Sequence, residues 1–374
     1  MIERKLGLFM AVLILALSGC AGPYAQTSAR GSGYAGGGTA GVTYFYDALS
    51  PYGRWIDAGA NGWCWTPYDV SADWRPYDDG QWAYTDAGWA WDSDEPWGWA
   101  CYHYGRWFDH PSYGWVWVPG TEWAPAWVAW RYSDDWVGWA PLPPEARWQA
   151  SVGLNFPGVE SIPAQNWCFV PQGEFVNRNV RTHLAPVARN VTLIARTRNA
   201  TRMEVRDGRP ANVGIDARAI ERSSGRGLPQ LKVVDREQPG GGPSPPMGAG
   251  AIGFFRPALR GVAHGASPRS EWRAQRSQTP DPAAQQQWDN ERRRLEASLA
   301  EERAALQREH EREIQAPPPD VTPDRLRRRQ AAEQRVFEMH ATQSRRVLET
   351  RWRNHLVNPV PQKATWQPAG QERR

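Results

Sequence analysis

The chain is poor in the residues that usually announce a chemistry. Its four cysteines include no C-x-x-C pair, which excludes a dithiol redox centre and a compact cysteine zinc site. Neither G-x-S-x-G nor G-x-x-x-x-G-K-[ST] occurs, so the nucleophile elbow and the phosphate-cradling loop are both missing. The apolar run over residues 6–17 is too short to cross a hydrocarbon core of roughly 30 Å as a helix. Aliphatic residues are scarce between Trp55 and Trp148, so a core built there must come from something else. Tryptophan is the abundant alternative: the chain has 23, and 18 of them lie in that stretch.

The first residues read as a targeting device. Arg4 and Lys5 precede the short apolar run, which ends in Leu17-Ser18-Gly19-Cys20. That ending resembles a bacterial lipobox, which implies cleavage of residues 1–19 and acylation of Cys20. Two or more acyl chains anchor a protein stably where one does not. Ala21-Gly22 follows in place of an inner-membrane retention aspartate. The expected location is the outer membrane, facing the periplasm.

Formal net charge is only +4, but residues 44–148 hold 5 Arg against 15 Asp and Glu, a net −10 that leaves +14 for the remainder. Small and polar residues at 20–43 read as a flexible tether. Residues 44–148 form the tryptophan-rich segment, and 149–237 a second β-rich domain. Runs at 167–170, 191–194 and 231–234 in that domain are strand-like, and Asp207-Gly208 signals a hairpin turn. Residues 238–283, opening with Gly and Pro, read as a disordered linker. Charged helices are expected within 284–357, followed by a tail at 358–374. Trp288, Leu295, Leu299 and Leu306 form one narrow apolar stripe, and Phe337, Ala341, Leu348 and Trp352 another. These suit a helical hairpin or an oligomeric seam.

The tryptophan segment repeats. Gly53-Arg54-Trp55 leads to Gly62-Trp63-Cys64-Trp65, Gly80-Gln81-Trp82 to Gly88-Trp89-Ala90-Trp91, and Gly105-Arg106-Trp107 to Gly114-Trp115-Val116-Trp117. Trp136–Pro141 reads as a degenerate cap. W-x-W has period two, so both indoles of a pair project from one face of a strand. Recurrent Gly and Pro argue against a helix. The fold class expected is mainly β: a hairpin-repeat or meander domain, a second small β-rich domain, a disordered linker and charged C-terminal helices.

Stretches such as "YFYDALSPYGRW", "DDGQWAYTDAGWAWDSDEPWGWACYHYGRW" and "PSYGWVWVPGTEWAPAWVAWR" resemble the Trp-, Tyr- and Gly-rich domain of an uncharacterised bacterial envelope family with YxWGxW-type repeats. The resemblance is strong over roughly 44–144, weak over the next ninety residues, and absent from the helices. It implies an envelope protein of unknown function and brings no catalytic residues. Cys64 and Cys101 stand where that family has other residues. With Cys20 acylated, Cys64, Cys101 and Cys168 permit three pairings in an oxidising compartment, and a paired gain favours Cys64–Cys101.

Chemistry beyond this is thin. His103 and His110, with Asp109, are too few to hold a metal. Asp92-Ser93-Asp94-Glu95 reads as solvated turn carboxylates. No catalytic residue, metal site, cofactor or nucleic-acid contact is expected. The sequence supports a non-enzymatic envelope scaffold or protein-interaction module. The alternative is a glycan- or peptidoglycan-binding module that stacks sugars on exposed tryptophans. Its candidate surface is Trp63, Trp65, Trp89, Trp91, Trp115 and Trp117, with Trp55, Trp82 and Trp107 as cross-strand neighbours.

Overall fold

The computed structural model of the chain describes residues 43–156, 158–239, 250–257, 259, 268, 282–319 and 321–357. The leader, Cys20 and the tether up to residue 42, as well as the tail at 358–374, lie outside the described residues. A two-turn helix, α1 (Thr43–Leu49), precedes four antiparallel hairpins. β1 (Gly53–Asp57) pairs with β2 (Trp63–Pro67), and β3 (Gly80–Thr85) with β4 (Gly88–Ser93). After the one-turn helix α2 (Gly98–Cys101), β5 (Arg106–His110) pairs with β6 (Gly114–Val118), then β7 (Val128–Tyr132) with β8 (Trp136–Pro141). Each hairpin sets tryptophan opposite tryptophan: Trp55 and Trp65, Trp82 and Trp91, Trp107 and Trp117, Trp130 and Trp139. The segment expected as a cap is thus half of a fourth hairpin.

Both glycines of the repeat have a physical reason. Gly62, Gly88 and Gly114, which open the second strands, sit at φ +67°, +86° and +69°, left-handed values that glycine adopts without strain. Gly53, Gly80 and Gly105 lie under the second tryptophan of their own hairpins. A Cβ there would come within 2.4 Å of Trp65, 2.9 Å of Trp91 and 2.8 Å of Trp117. The spacing of the repeat therefore encodes an indole folded over a bare backbone.

The hairpins do not follow one another in a single meander. Sheet order is β1-β2-β6-β5, so the first and third hairpins join through Trp65 opposite Trp117, giving a cross-strand row Trp55, Trp65, Trp117, Trp107. Residues after 148 complete the other sheets. A small antiparallel pair, β9 (Arg147–Gln149) and β10 (Gly153–Asn155), comes first. β11 (Cys168–Pro171) then adds to β8; after a helix α3 (Asn190–Arg196), β12 (Arg198–Asn199) adds to β7. β13 (Met203–Arg206) and β14 (Arg209–Asn212) form the hairpin expected at Asp207-Gly208, and β14 lies against β4. Residues 149–237, expected as a second domain, thus share two sheets and a core with the tryptophan segment.

Two expectations are corrected. Val191-Thr192-Leu193-Ile194, strand-like in composition, is helical in α3, where Leu193 is buried with Phe169 and Trp167; tertiary burial overrides weak β propensity. The linker at 238–283 is not structureless throughout. Following α4 (Ala217–Ser224), β15 (Lys232–Arg236) pairs in parallel with β16 (Ala251–Phe255), which buries Ile252 and Phe254 over Ala90.

The C-terminal helices α5 (Pro282–Gln315) and α6 (Pro323–Val357) form the hairpin that the two stripes suggest. Leu295, Leu299 and Leu306 meet Phe337, Ala341 and Leu348, and Trp288 stacks on Trp352 with ring centroids 5.4 Å apart. Among the described residues no helix is long and apolar enough to cross a membrane.

Candidate functional site

The tryptophans expected to offer a recognition surface face inward. Trp65, Trp89, Trp91 and Trp117 have no exposed surface, Trp55, Trp107 and Trp115 have 2 %, and Trp82 has 3 %. Trp63 alone is half-buried, and it packs against the same core. Both indoles of the W-x-W pairs on β2, β4 and β6 share a face, while the residues between them, Cys64, Val116 and Ala90, lie in separate clusters behind the sheets. The exposed-surface expectation is corrected because three sheets converge on one core. Ring centroids of Trp82 on β3 lie 4.6 and 5.7 Å from those of Trp130 and Trp139 in the next sheet, and Trp97 packs on both Trp65 and Trp107, themselves 6.4 Å apart.

Several indole N–H groups brace the fold as well, although those of Trp55, Trp82, Trp91 and Trp115 are buried without a partner. Trp65 donates to the Leu49 carbonyl, Trp107 to Cys101, Trp117 to Tyr104, Trp127 to His103, Trp139 to Tyr77 and Trp89 to Ile215. Trp130 donates to the Asn212 side chain, whose own amide donates to Ala126. Buried backbone carbonyls need donors, and here indoles supply them between segments far apart in the chain.

The disulfide expectation is also corrected: Cys64, Cys101 and Cys168 are all buried free thiols. Cys64 projects behind its sheet with Ile56 and Val116, whereas Cys101, on α2 rather than a strand, belongs to the main core on the other side. Burial pushes Cys64 up to about 12 and Cys168 up to about 11, so neither is a reactive thiolate. Alkylation of unfolded, unreduced protein is expected to label all three once. An intact-mass spectrum showing any of them bridged contradicts this arrangement.

The polar interior was not anticipated. The Glu95 carboxylate accepts from Trp74 Nε1, Tyr102 OH and Ser93 Oγ, each at 2.7 Å. Glu95 and Asp92, taken from sequence as solvated, are correspondingly a half-buried and a buried residue, while Asp94 is exposed. Burial raises Glu95 to about 8 against those three donors. Asp78 accepts from Arg181 at 2.8 Å and from the Arg75 amide at 3.0 Å. Arg106 lies 3.6 Å from the Trp127 ring centroid and donates to the Ala146 carbonyl; burial lowers it to about 9. His103 is sealed between Trp123 and Phe254, and burial lowers it to about 4.

A carboxyl held near neutrality is what a general acid looks like, so access decides. Glu95, Asp92, His103 and Arg236 line a crevice of about 30 Å³. That is room for about two waters, not for a substrate ring. Its polar groups brace loops. His110 is partly exposed on β5, apart from buried His103 on the turn after α2, and no group of three or more His, Cys, Asp or Glu side chains converges among the described residues.

Residues 46–146, which hold all four hairpins, match a family of unknown function, DUF6600. No curated protein and no solved structure matches the chain.

Proposed function

We propose that the chain is a non-enzymatic lipoprotein of the bacterial cell envelope, anchored through Cys20 to the outer membrane, whose tryptophan body is a rigid platform for protein partners. One observation carries the reading: the tryptophans are interior, so their repeat specifies a stiff body rather than an array of ligand-stacking rings. A sheet-rich body with a sealed core acts through its outer surface and appended helices. Anchorage is tested by Cys20→Ser, expected to move the protein from the membrane fraction to the soluble periplasm; acylated, membrane-bound variant protein refutes it. The platform role is tested by titrating peptidoglycan fragments against tryptophan fluorescence and by photo-crosslinking from exposed positions in cells. A flat titration with discrete protein crosslinks is expected. Saturable quenching by glycan without protein crosslinks overturns the platform in favour of glycan binding.

A further inference from the structure

We propose that the α5–α6 hairpin is a detachable arm, and that the face of the β body beneath α6 is a docking site for a basic amphipathic helix of a partner protein. This rests on the platform reading and names its surface.

α6 carries two stripes of opposite character. Phe337, Ala341, Leu348 and Trp352 face α5 in an apolar cluster made mostly by the two helices, to which the body adds Ala188 and Ala72. Glu333, His340, Gln343, Val347 and Thr350 recur at spacings of three, four and seven, which places them along one helix face. All five are buried. Contacts from this side to the body are mostly polar. Thr192 donates to Glu333, Thr350 to the Ser112 carbonyl at 3.0 Å, and Arg351 to the Tyr68 carbonyl at 3.0 Å. Arg189 pairs with Glu309 of α5, and Arg351 lies 3.9 Å from Asp69. Arg346 stands near Asp109, and Asp73 and Arg75 near His340 and Glu302. The apolar contacts are with small residues: Ala188 and Ala72 at the edge of the helical cluster, and Val347 on Gly114, where a Cβ would meet the valine at 2.5 Å. Polar seams of this kind permit relative motion, while apolar ones resist it.

The seam is also imperfect. Trp115 Nε1 is buried there without a hydrogen-bond partner, while Asp109 on the body and Gln343 on α6 bond to each other across it. A crevice of about 10 Å³ remains between Thr66, Tyr113 and Trp115 on the body and Val347 and Thr350 on α6. An unpartnered buried donor opposes docking, so a helix that supplies Trp115 Nε1 with an acceptor and fills the crevice displaces α6 in competition. The chemistry of that helix follows from the face. Asp69, Asp73 and Asp109 lie within a segment of net charge −10, and α6 itself carries nine Arg against four Asp and Glu. The partner helix is therefore arginine-rich on its contact edge, with a β-branched residue over Gly114 and a hydroxyl for Ser112.

The test uses the full chain and a fluorescein-labelled peptide of residues 323–357. Ser112→Cys with Thr350→Cys locks the arm, bond formation being verified by mass. The peptide is expected to bind the unlocked chain at least tenfold tighter than the locked one, and to weaken at least tenfold when it carries Arg351→Ala and Thr350→Val. Hydrogen exchange is expected to show α6 and the amides of 112–115 opening before the β body unfolds. Binding indifferent to the lock, or α6 exchanging only with global unfolding, overturns the proposal. Opening without peptide binding overturns the helical partner alone, and the crosslinking test of the platform reading stands apart from all three outcomes.

Discussion

Replacing Gly105 with alanine is expected to lower the free energy of unfolding by about 3 kcal/mol or more, the sum of overpacking and left-handed backbone strain. The Cβ would lie 2.1 Å from the Val118 carbonyl oxygen and 2.8 Å from Trp117 Nε1, at φ +67°. Neither neighbour can yield. Val118 is held in the β5–β6 ladder opposite Arg106, and the Trp117 indole is pinned by its 2.7 Å hydrogen bond to Tyr104. Gly208 is the control. Its φ of +73° is similar, but nothing lies within 4 Å of a Cβ there. Gly208→Ala is then limited to the backbone penalty, about 1–2 kcal/mol. Urea unfolding followed by tryptophan fluorescence separates the two, and equal losses would show that the indole over Gly105 is not what fixes the repeat.

This contrast also marks how far the sequence could be read. G-x-W followed by G-W-x-W is a local code, and it gave the strands, the turns and the shared face of each tryptophan pair. Its register is visible because the period of two leaves no other face for Trp89 and Trp91. Which face meets water is not local information. Trp65 is buried because a third hairpin pairs beside it and α1 receives its N–H, and neither fact is written near residue 65. The same holds for α6. Its apolar stripe was legible, whereas the body-facing stripe of Glu333, His340, Gln343, Val347 and Thr350 has the composition of a solvated face. β16 was hidden for a different reason: five apolar-rich residues beyond a Pro/Gly-rich stretch become a strand only where β15 offers an edge. Glu95 was missed because a carboxylate among aspartates near a turn looks wet until Trp74 and Tyr102 close over it.

Glu95 leads to the second large effect, an unfolding free energy that falls as pH rises above about 6.5. Its folded-state value of about 8 exceeds the ordinary 4.5. Between those values the folded chain keeps a proton that the unfolded chain has lost, so the stabilisation is full below 4.5 and gone above 8. Burial raises Asp78 similarly, to about 7 against Arg181, but most of its window lies below pH 6.5. His103 and His340 act in the opposite sense. Burial lowers both to about 4, so their contribution is present above 6.5 and lost as pH falls towards 4. The limbs cross near pH 6.5. From there to pH 8.5 the Glu95 limb amounts to about 2 kcal/mol, at 1.36 kcal/mol per unit of unequal titration. Arg106, lowered to about 9, adds little in this interval, since both its states remain largely protonated until its upper end. Glu95→Gln keeps an acceptor for the Trp74 indole and turns its amide N–H groups toward the Tyr102 and Ser93 hydroxyls, which can accept; it cannot titrate, and is expected to flatten the slope between pH 6.5 and 8.5 by more than half. Urea midpoints at pH 6.5, 7.5 and 8.5 for both proteins measure it. Parallel slopes would mean that the Glu95 carboxylate is ionised in the folded chain throughout, stabilised by its three donors, and that the alkaline limb arises elsewhere.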